Sequence, residues 1–348
     1  SVGNKDATAE ALKKYKFIAS FDIFLTETSE FSDIVLPDCG YLETFDSRPH
    51  YLFIFALPAG MGDWSWAIRQ PVVEPEGERR SFANVLLELG DRIGILPDIN
   101  TAYNAFLDLK NERLDVDRRY SHEEICDIDL KDKFGPDKGL DWFRENGVVS
   151  WPKKPEEVYW RTFNDVRVPI YWEWMEDTWE QANEIAEPRG LDIPKEFYSP
   201  LPEWLPCPSH ECTHEDFDFY AFYYRDIVHT NSLTMENAWL DEAAELDPFS
   251  YAIAINAKVG REKGLVTGDT IWVENEYGKK VSGKIRLTET IHPEGLGIGA
   301  CAGHWSKEMP IAKGKGVFFN DLIELDWHQS SPSNLNVDLC AKVKITKV

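Results

Sequence analysis

The chain has 348 residues, of which 43% are hydrophobic and 28% charged, and a formal net charge of −24. That length can bury a sizeable core and accommodate two domains. The acidic balance argues against nucleic acid as a partner, because a polyanion would be repelled; it favours solubility, or docking to a basic partner chain. Six cysteines (Cys39, Cys126, Cys207, Cys212, Cys301 and Cys340) follow no regular spacing, so a disulfide framework is not expected. No run of eighteen apolar residues and no signal-peptide layout is present, so no membrane span is expected in this chain. The compartment, cytoplasmic or periplasmic, stays open.

In chain order, residues 6–16 read as a helix, and residues 17–21 (FIASF) have the length and content of a buried strand. That run stops at Asp22 and is followed by a polar cluster, Thr26-Glu27-Thr28-Ser29-Glu30. A second apolar run, Ile34-Val35-Leu36, is closed by Pro37, which cannot donate to a sheet ladder. Strand, polar turn and strand in so few residues predict a compact α/β unit. Ligands in such units sit outside the carboxyl ends of strands, where Asp22 and Thr26 would lie. Residues 51–66 form an irregular aromatic stretch. Residues 81–89 carry the 3.6-residue apolar period of a helix that Gly90 or Gly94 could end. Weaker helical signals fall near 101–109, 122–130 and 173–186.

Four prolines in residues 199–208 mark a boundary, beyond which the texture turns to β. Residues 217–224 form an aromatic strand, 235–244 a helix, and 256–263 a short helix closed by Gly264. Residues 271–275 and 281–288 alternate around Glu276-Tyr277-Gly278 as a hairpin, and 342–348 form a last strand.

Several of these elements together resemble one family. The pattern Asp-x-x-x-Thr-Glu-Thr beginning at Asp22, then Ser32-Asp33-Ile34-Val35-Leu36-Pro37 and Glu43, is similar to the molybdenum/tungsten oxidoreductases of the DMSO reductase superfamily. So are R-Q-P-x-V-x-P-x-G-E at 69–78, G-L-x-x-G-D-x-I-x-V at 264–273, Gly303-His304-Trp305, and Asn320 in Phe319-Asn320-Asp321-Leu322. The resemblance implies an α/β cofactor-binding domain over 1–205 followed by a double-psi β-barrel over 206–348. It implies a bis-molybdopterin guanine dinucleotide cofactor carrying Mo or W, and two-electron chemistry such as oxygen-atom transfer or hydroxylation. Asp22 is then the guanine-binding acid, since a carboxylate accepts from two adjacent N–H donors, with Thr26 and Thr44 beside the cofactor. His229 and Thr230, flanked by Asn231 and Ser232, would contact pterin and pyrophosphate, helped by the backbone N–H groups of the following helix. Asn320 would touch the pterin, an amide being able to donate and accept at once. The stretch HTNSLTMENAWLDE is most similar to the branch holding thiosulfate/polysulfide reductases and phenylacetyl-CoA acceptor oxidoreductases.

The resemblance has gaps. Relatives often carry an acid at the place of Phe82, a Gly-Arg pair at the place of Phe222-Tyr223-Tyr224, and a basic residue near Asp338. The cluster-binding cysteines and the protein ligand to the metal lie in an earlier half not found in these 348 residues. The chain therefore reads as the C-terminal half of a catalytic subunit. Its expected partners are the N-terminal half, with any iron–sulfur cluster it carries, and an iron–sulfur electron-transfer subunit. No catalytic residue is assigned.

Two other readings stay open. The chain could be a cofactor-free structural subunit of a redox complex. Alternatively His210-Glu211-Cys212-Thr213-His214 matches H-E-x-x-H, a zinc hydrolase pattern, with Glu236 as a conceivable third ligand. Lys313-Gly314-Lys315-Gly316 could cradle an anion or be a plain turn.

Overall fold

The computed structural model describes residues 4–46, 63–158, 171–201, 203–230, 232, 234–324 and 340–348. Contacts gather the chain into two units: Ala19–Ile23 with Ile34–Val168, and Ser1–Ile18 with Phe24–Asp33 and Pro169–Val348. The opening helix α1, Lys5–Leu12, belongs to the second unit. It is shorter than expected because the N–H groups of Lys14 and Tyr15 turn back to the third carbonyl behind them, which tightens and ends the last turn.

In the first unit, β1 (Ala19–Asp22) pairs in parallel with β2 (Ile34–Pro37), Ala19 facing Ile34 and Asp22 facing Pro37. The expectation of a buried strand at 17–21 is corrected here. Phe17 lies before the strand and is 60% exposed, and Ile34 is 47% exposed. Helix α2 (Phe82–Arg92) runs on past Gly90, which is not its end. Gly90 is instead a point of close approach: a Cβ there would lie 2.1 Å from Ile99 Cδ1 on α3 (Leu96–Phe106). Asn100 and Asn104 of α3 are buried and stitch the following loop. Asn100 Nδ2 donates to the carbonyls of Asp115, Val116 and Arg118, and Asn104 exchanges two bonds with the Leu114 backbone. Helix α4 (His122–Phe134) opens with a Ser121/Glu124 capping box, and α5 (Leu140–Asn146) follows. The aromatic stretch hides a strand the sequence pattern did not reveal. β3 (Trp64–Ala67) pairs antiparallel with β4 (Val148–Trp151), and Trp66 and Trp151 pack on Phe134.

The second unit holds α6 (Trp174–Ala186), β5 (Phe219–Tyr224), α7 (Ala238–Leu246), β6 (Ile253–Asn256), α8 (Ala257–Glu262), β7 (Thr270–Asn275), β8 (Lys280–Thr288), β9 (Gly295–Gly299) and β10 (Cys340–Lys347). These strands close into a barrel in the order β10-β5-β9-β6-β8-β7. The β5–β9 and β6–β8 pairs are parallel, the others antiparallel. Closure removes the edges of that sheet, and alternation sends one face inward: Phe219, Ala221, Ile253, Ile255, Ile271, Val273, Leu296, Ile298 and Val343 are at most 1% exposed. The expected hairpin forms around Gly278, and Asn275 Oδ1 accepts from Tyr277 and Lys279 N–H to close it. Helix α7 begins later than expected, at the point where Asn237 can cap it. Among the described residues no helix is long and apolar enough to cross a membrane, and no cysteine is in a disulfide.

Candidate functional site

Strand β5 ends at Tyr224 and the chain turns at once. Asp226 Oδ1 accepts from the N–H groups of Val228 (2.7 Å) and His229 (3.2 Å), a local turn that an aspartate can make from its own side chain. The turn drives the His229 ring inward, where it is 5% exposed. Nε2 lies 2.9 Å from Tyr251 Oη, and Nδ1 lies 3.2 Å from Thr234 Oγ1. Tyr251 has one proton, and it goes to Asp241 (2.9 Å), whose carboxylate is ion-paired with Lys315. Tyr251 Oη can therefore only accept from His229, so Nε2 carries the hydrogen. Thr234 Oγ1 accepts from Thr230 N–H (3.0 Å) and lies within hydrogen-bond reach of Nδ1. Both ring nitrogens of His229 are engaged. Burial, then the bond to Asp241, push the Tyr251 phenol far above its usual range, which keeps it a donor to that carboxylate.

The next residues are strained. Ser232 has φ 66°, in the left-handed region a non-glycine residue seldom enters, and its Oγ reaches Cys301 O at 3.5 Å. Cys301 has φ 75°. At Gly303, φ is 86° and a Cβ would lie 2.0 Å from Phe318 N, so only glycine fits.

Two carboxylates clamp the segment that follows Gly303. Glu27, from the Thr-Glu-Thr cluster, accepts from His304 Nδ1 (3.1 Å), Trp305 N–H (2.8 Å) and Ser306 N–H (3.0 Å). Burial raises its pKa, but those donors outweigh burial and hold the carboxyl at about 2, against an ordinary 4.5. Glu236 accepts from Ile311 N–H (3.2 Å) and Ala312 N–H (3.0 Å). With Nδ1 committed to Glu27, His304 keeps Nε2 buried and without a partner among the described residues. Met235, Ala302, Met309 and Ala312 pack under this arrangement, with Tyr251 against them.

No family profile matches the chain. It is 27% identical over 304 residues to the thiosulfate reductase molybdopterin-containing subunit of Salmonella typhimurium, covering 84% of this chain and 36% of that relative. It is 26% identical over 381 residues to a sulfite dehydrogenase chain of Allochromatium vinosum, covering 93% of this chain and 37% of the relative. Its fold is similar to that of acetylene hydratase from Pelobacter acetylenicus, with a TM-score of 0.64 and 15% identity over all of this chain and 42% of that one. The chain is thus similar in sequence to molybdopterin-containing reductase subunits, a dimethyl sulfoxide reductase of Escherichia coli among them (22% identical over 323 residues), and similar in fold to acetylene hydratase. It spans little more than a third of the length of these curated relatives.

Of the residues that a superfamily reading picks out, Thr26, His229, Thr230, Ser232 and Asn320 fall in the barrel unit, and Asp22 and Thr44 in the other. Asn231 and Asp338 lie outside the described residues. Asp22 closes β1, its carbonyl accepting from Asp38 N–H (3.1 Å). Thr26 Oγ1 sits 2.9 Å from Ser29 Oγ at the start of a tight turn. Thr44 Oγ1 accepts from Arg69 Nη2 (3.0 Å). Thr230 is exposed, and the Asn320 carbonyl accepts from Asn4 N–H (3.1 Å). The helix N-terminus expected to bind phosphate is already occupied: Asn237 Oδ1 accepts from the N–H groups of Trp239 and Leu240. Lys315 is likewise taken by Asp241 and Glu245, so the Lys-Gly turn does not present it as a free cation.

The zinc pattern does not form its geometry. The helix under it is one turn, Pro208–Glu211, and Cys212 is extended, so His214 is not stacked one turn above His210. His210 stacks on Trp204, His214 packs on Phe217, and Glu236 is spent on backbone N–H groups. The residues that reasoning from sequence overlooked are Glu27, Tyr251 and Asp241. Glu27 stood inside a quoted motif, but nothing in the sequence tells which side chain of that motif turns to Ser306.

Proposed function

We propose that this chain is the C-terminal, cofactor-holding part of the catalytic subunit of a molybdenum or tungsten oxidoreductase. The observation that carries the reading is the clamped segment 303–312, just after Cys301 whose carbonyl Ser232 Oγ reaches, in a chain whose 27% identical relative is a molybdopterin-containing subunit. The donor set suits a bis-molybdopterin guanine dinucleotide. An anionic dinucleotide on a chain of net charge −24 needs local neutral donors, and the exposed Thr230 hydroxyl and the strained Ser232 are of that kind. Asp22 would take the guanine edge, and Thr26, Thr44, Asn231 and Asn320 would line the remainder. His229 would position this element, while His304 offers a ring nitrogen that has no partner among the described residues.

When bound, the metal dithiolene supplies two-electron redox chemistry, oxygen-atom transfer or hydroxylation. This chain binds and orients, and no catalytic residue is assigned to it. We read the closed barrel as a double-psi barrel, and the domains as 1–205 and 206–348. The partners in this reading are a chain or segment supplying the N-terminal half, which would hold any iron–sulfur cluster, and an electron-transfer subunit. Among substrates, the relatives favour a sulfur oxyanion.

The test is the metal and pterin content of the protein purified with all its partner chains. Mo or W with pterin fluorescence is expected; absence of both ends the reading. A cofactor-free structural subunit is the second reading, and one observation favours it: Phe82 stands where relatives have an acid, and its ring packs edge-on against Phe21 at 5.2 Å. The same assay decides between them.

A further inference from the structure

The first unit holds a cleft that the cofactor reading does not use. Its walls are Arg80, Ser81 and Asn84, where α2 begins, and Arg119, Tyr120 and Ser121, where the chain enters α4. One bond ties the two segments together: His122 N–H donates to Asn84 Oδ1 at 2.8 Å. The space between them is about 320 Å³. That size is in the range of small-molecule sites, about 300–1,000 Å³. In a chain of net charge −24, this cleft has two arginines and no carboxylate on its walls.

The side-chain acceptors on these walls are already in use. Asn84 Oδ1 takes His122 N–H, Ser121 Oγ takes Glu124 N–H at 3.2 Å, and Tyr120 Oη takes Asp115 N–H at 2.9 Å. What the walls have left is hydrogen: the Asn84 amide N–H groups and the hydroxyls of Ser81 and Ser121. Ser81 stands at the N-cap of α2 but its side chain caps nothing, and its hydroxyl has no partner among the described residues. Arg119 comes only within 3.6 Å of Glu88 and 3.7 Å of Asp91, beyond hydrogen-bond length, so its guanidinium hydrogens stay uncommitted. Arg80 gives one bond, from Nη2 to Glu88 at 2.6 Å. Around the cleft, Arg80, Arg92 and Arg119 face Glu88 and Asp91, three cations against two anions, which leaves one positive charge. Both wall arginines are half exposed, so an anion can reach them.

We propose that this cleft binds a tetrahedral oxyanion of the phosphate or sulfate kind, Arg80 and Arg119 pairing with its charge and Ser81, Asn84 and Ser121 donating to its oxygens. A carboxylate has two oxygens, which one guanidinium satisfies as a fork; five donor side chains on two segments suit an anion with three or four. A free anion and a phosphate carried on a larger molecule present the same oxygens, and the experiment separates them. None of the wall residues is among those assigned to the cofactor, so the proposal does not depend on the molybdopterin reading.

Inorganic phosphate is the probe, titrated by calorimetry into the full chain at constant ionic strength, with sulfate, acetate and guanosine monophosphate alongside. Saturable binding of phosphate and sulfate is expected, with a Kd of about 1 mM or below and acetate at least about tenfold weaker. Arg119→Gln removes only loose ion pairs, so it is expected to fold as the native chain does and to bind phosphate about tenfold more weakly. Ser81→Ala is expected to weaken binding about fivefold. Guanosine monophosphate binding no tighter than phosphate supports a free anion as the ligand; tighter binding that persists in Asp22→Ala supports a phosphate ester. A gain that Asp22→Ala abolishes makes the cleft part of the guanine site and overturns the proposal. No saturable binding of phosphate by the native chain overturns it too, and needs no variant to fold. Equal binding of acetate, or undiminished phosphate binding by Arg119→Gln, does the same.

Discussion

His229 and His304 lie in the same unit and end in opposite hydrogen-bonding states. His229 is closed: Thr234 engages one nitrogen and Tyr251 accepts from the other, with Asp241 and Lys315 fixing the direction of the Tyr251 bond. His304 is half open, with Glu27 on Nδ1 and, among the described residues, nothing on Nε2. The motif containing His229 carries the stronger family likeness, yet its imidazole is spent on holding its own loop. What such a motif specifies is a shape, and the groups that the shape exposes are its neighbours.

The largest effect is expected at the half-open histidine. Glu27→Ala leaves His304 Nδ1 and two backbone N–H groups without their acceptor, and should cost about 3 kcal/mol in urea unfolding. Because the folded pKa of Glu27, about 2, is below its ordinary 4.5, its contribution is complete above pH 4.5. It is lost as the pH falls from 4.5 towards 2. Glu27→Gln should flatten the pH dependence of stability in that window, and an unchanged slope would remove Glu27 from the account.

A smaller effect is expected at the closed histidine. Tyr251→Phe strands the Nε2–H of His229 and should cost about 1–2 kcal/mol. Asp241→Asn should cost less and do something more specific. An amide donating to Tyr251 frees the phenol proton for His229, so the ring should move its hydrogen to Nδ1. Long-range ¹H–¹⁵N correlation on histidine-labelled protein reads the tautomer directly. A native His229 protonated on Nδ1 would break the contrast between the two rings.

The fold was legible where one residue type does one job. The hairpin around Gly278, the capped helix after Asn256 and the alternating strands all follow from turn residues and period. β3 was not legible, because Trp64 to Ala67 owes its strand to pairing with Val148–Trp151, distant in the chain. Residues 17–21 show the converse failure: composition indicated burial, but burial needs a covering layer, and Phe17 is 60% exposed. The site was half legible. Asp226, His229 and Thr230 stand together in sequence, whereas the partners that decide their roles come from residues 234, 241, 251 and 315. Similarly, H-E-x-x-H matched as a string, but Pro206 and Pro208 bar a helix from running up to the motif from before it, and the one turn that forms ends at Glu211, with Cys212 already extended.

The smallest effects concern exposed groups. Thr230→Val should leave stability within about 0.5 kcal/mol, while lowering the pterin retained by the assembled protein; a large loss of stability would instead make Thr230 part of the scaffold. His210→Ala should leave bound zinc unchanged, and stoichiometric zinc lost with that substitution would revive the hydrolase reading.

The cofactor claim itself is tested most directly by measuring guanine nucleotide released on acid hydrolysis, together with Mo or W, in the protein purified with its partner chains. Guanine nucleotide is expected to accompany the metal, and Asp22→Ala to lower both. A complex that carries neither metal nor guanine nucleotide would contradict it.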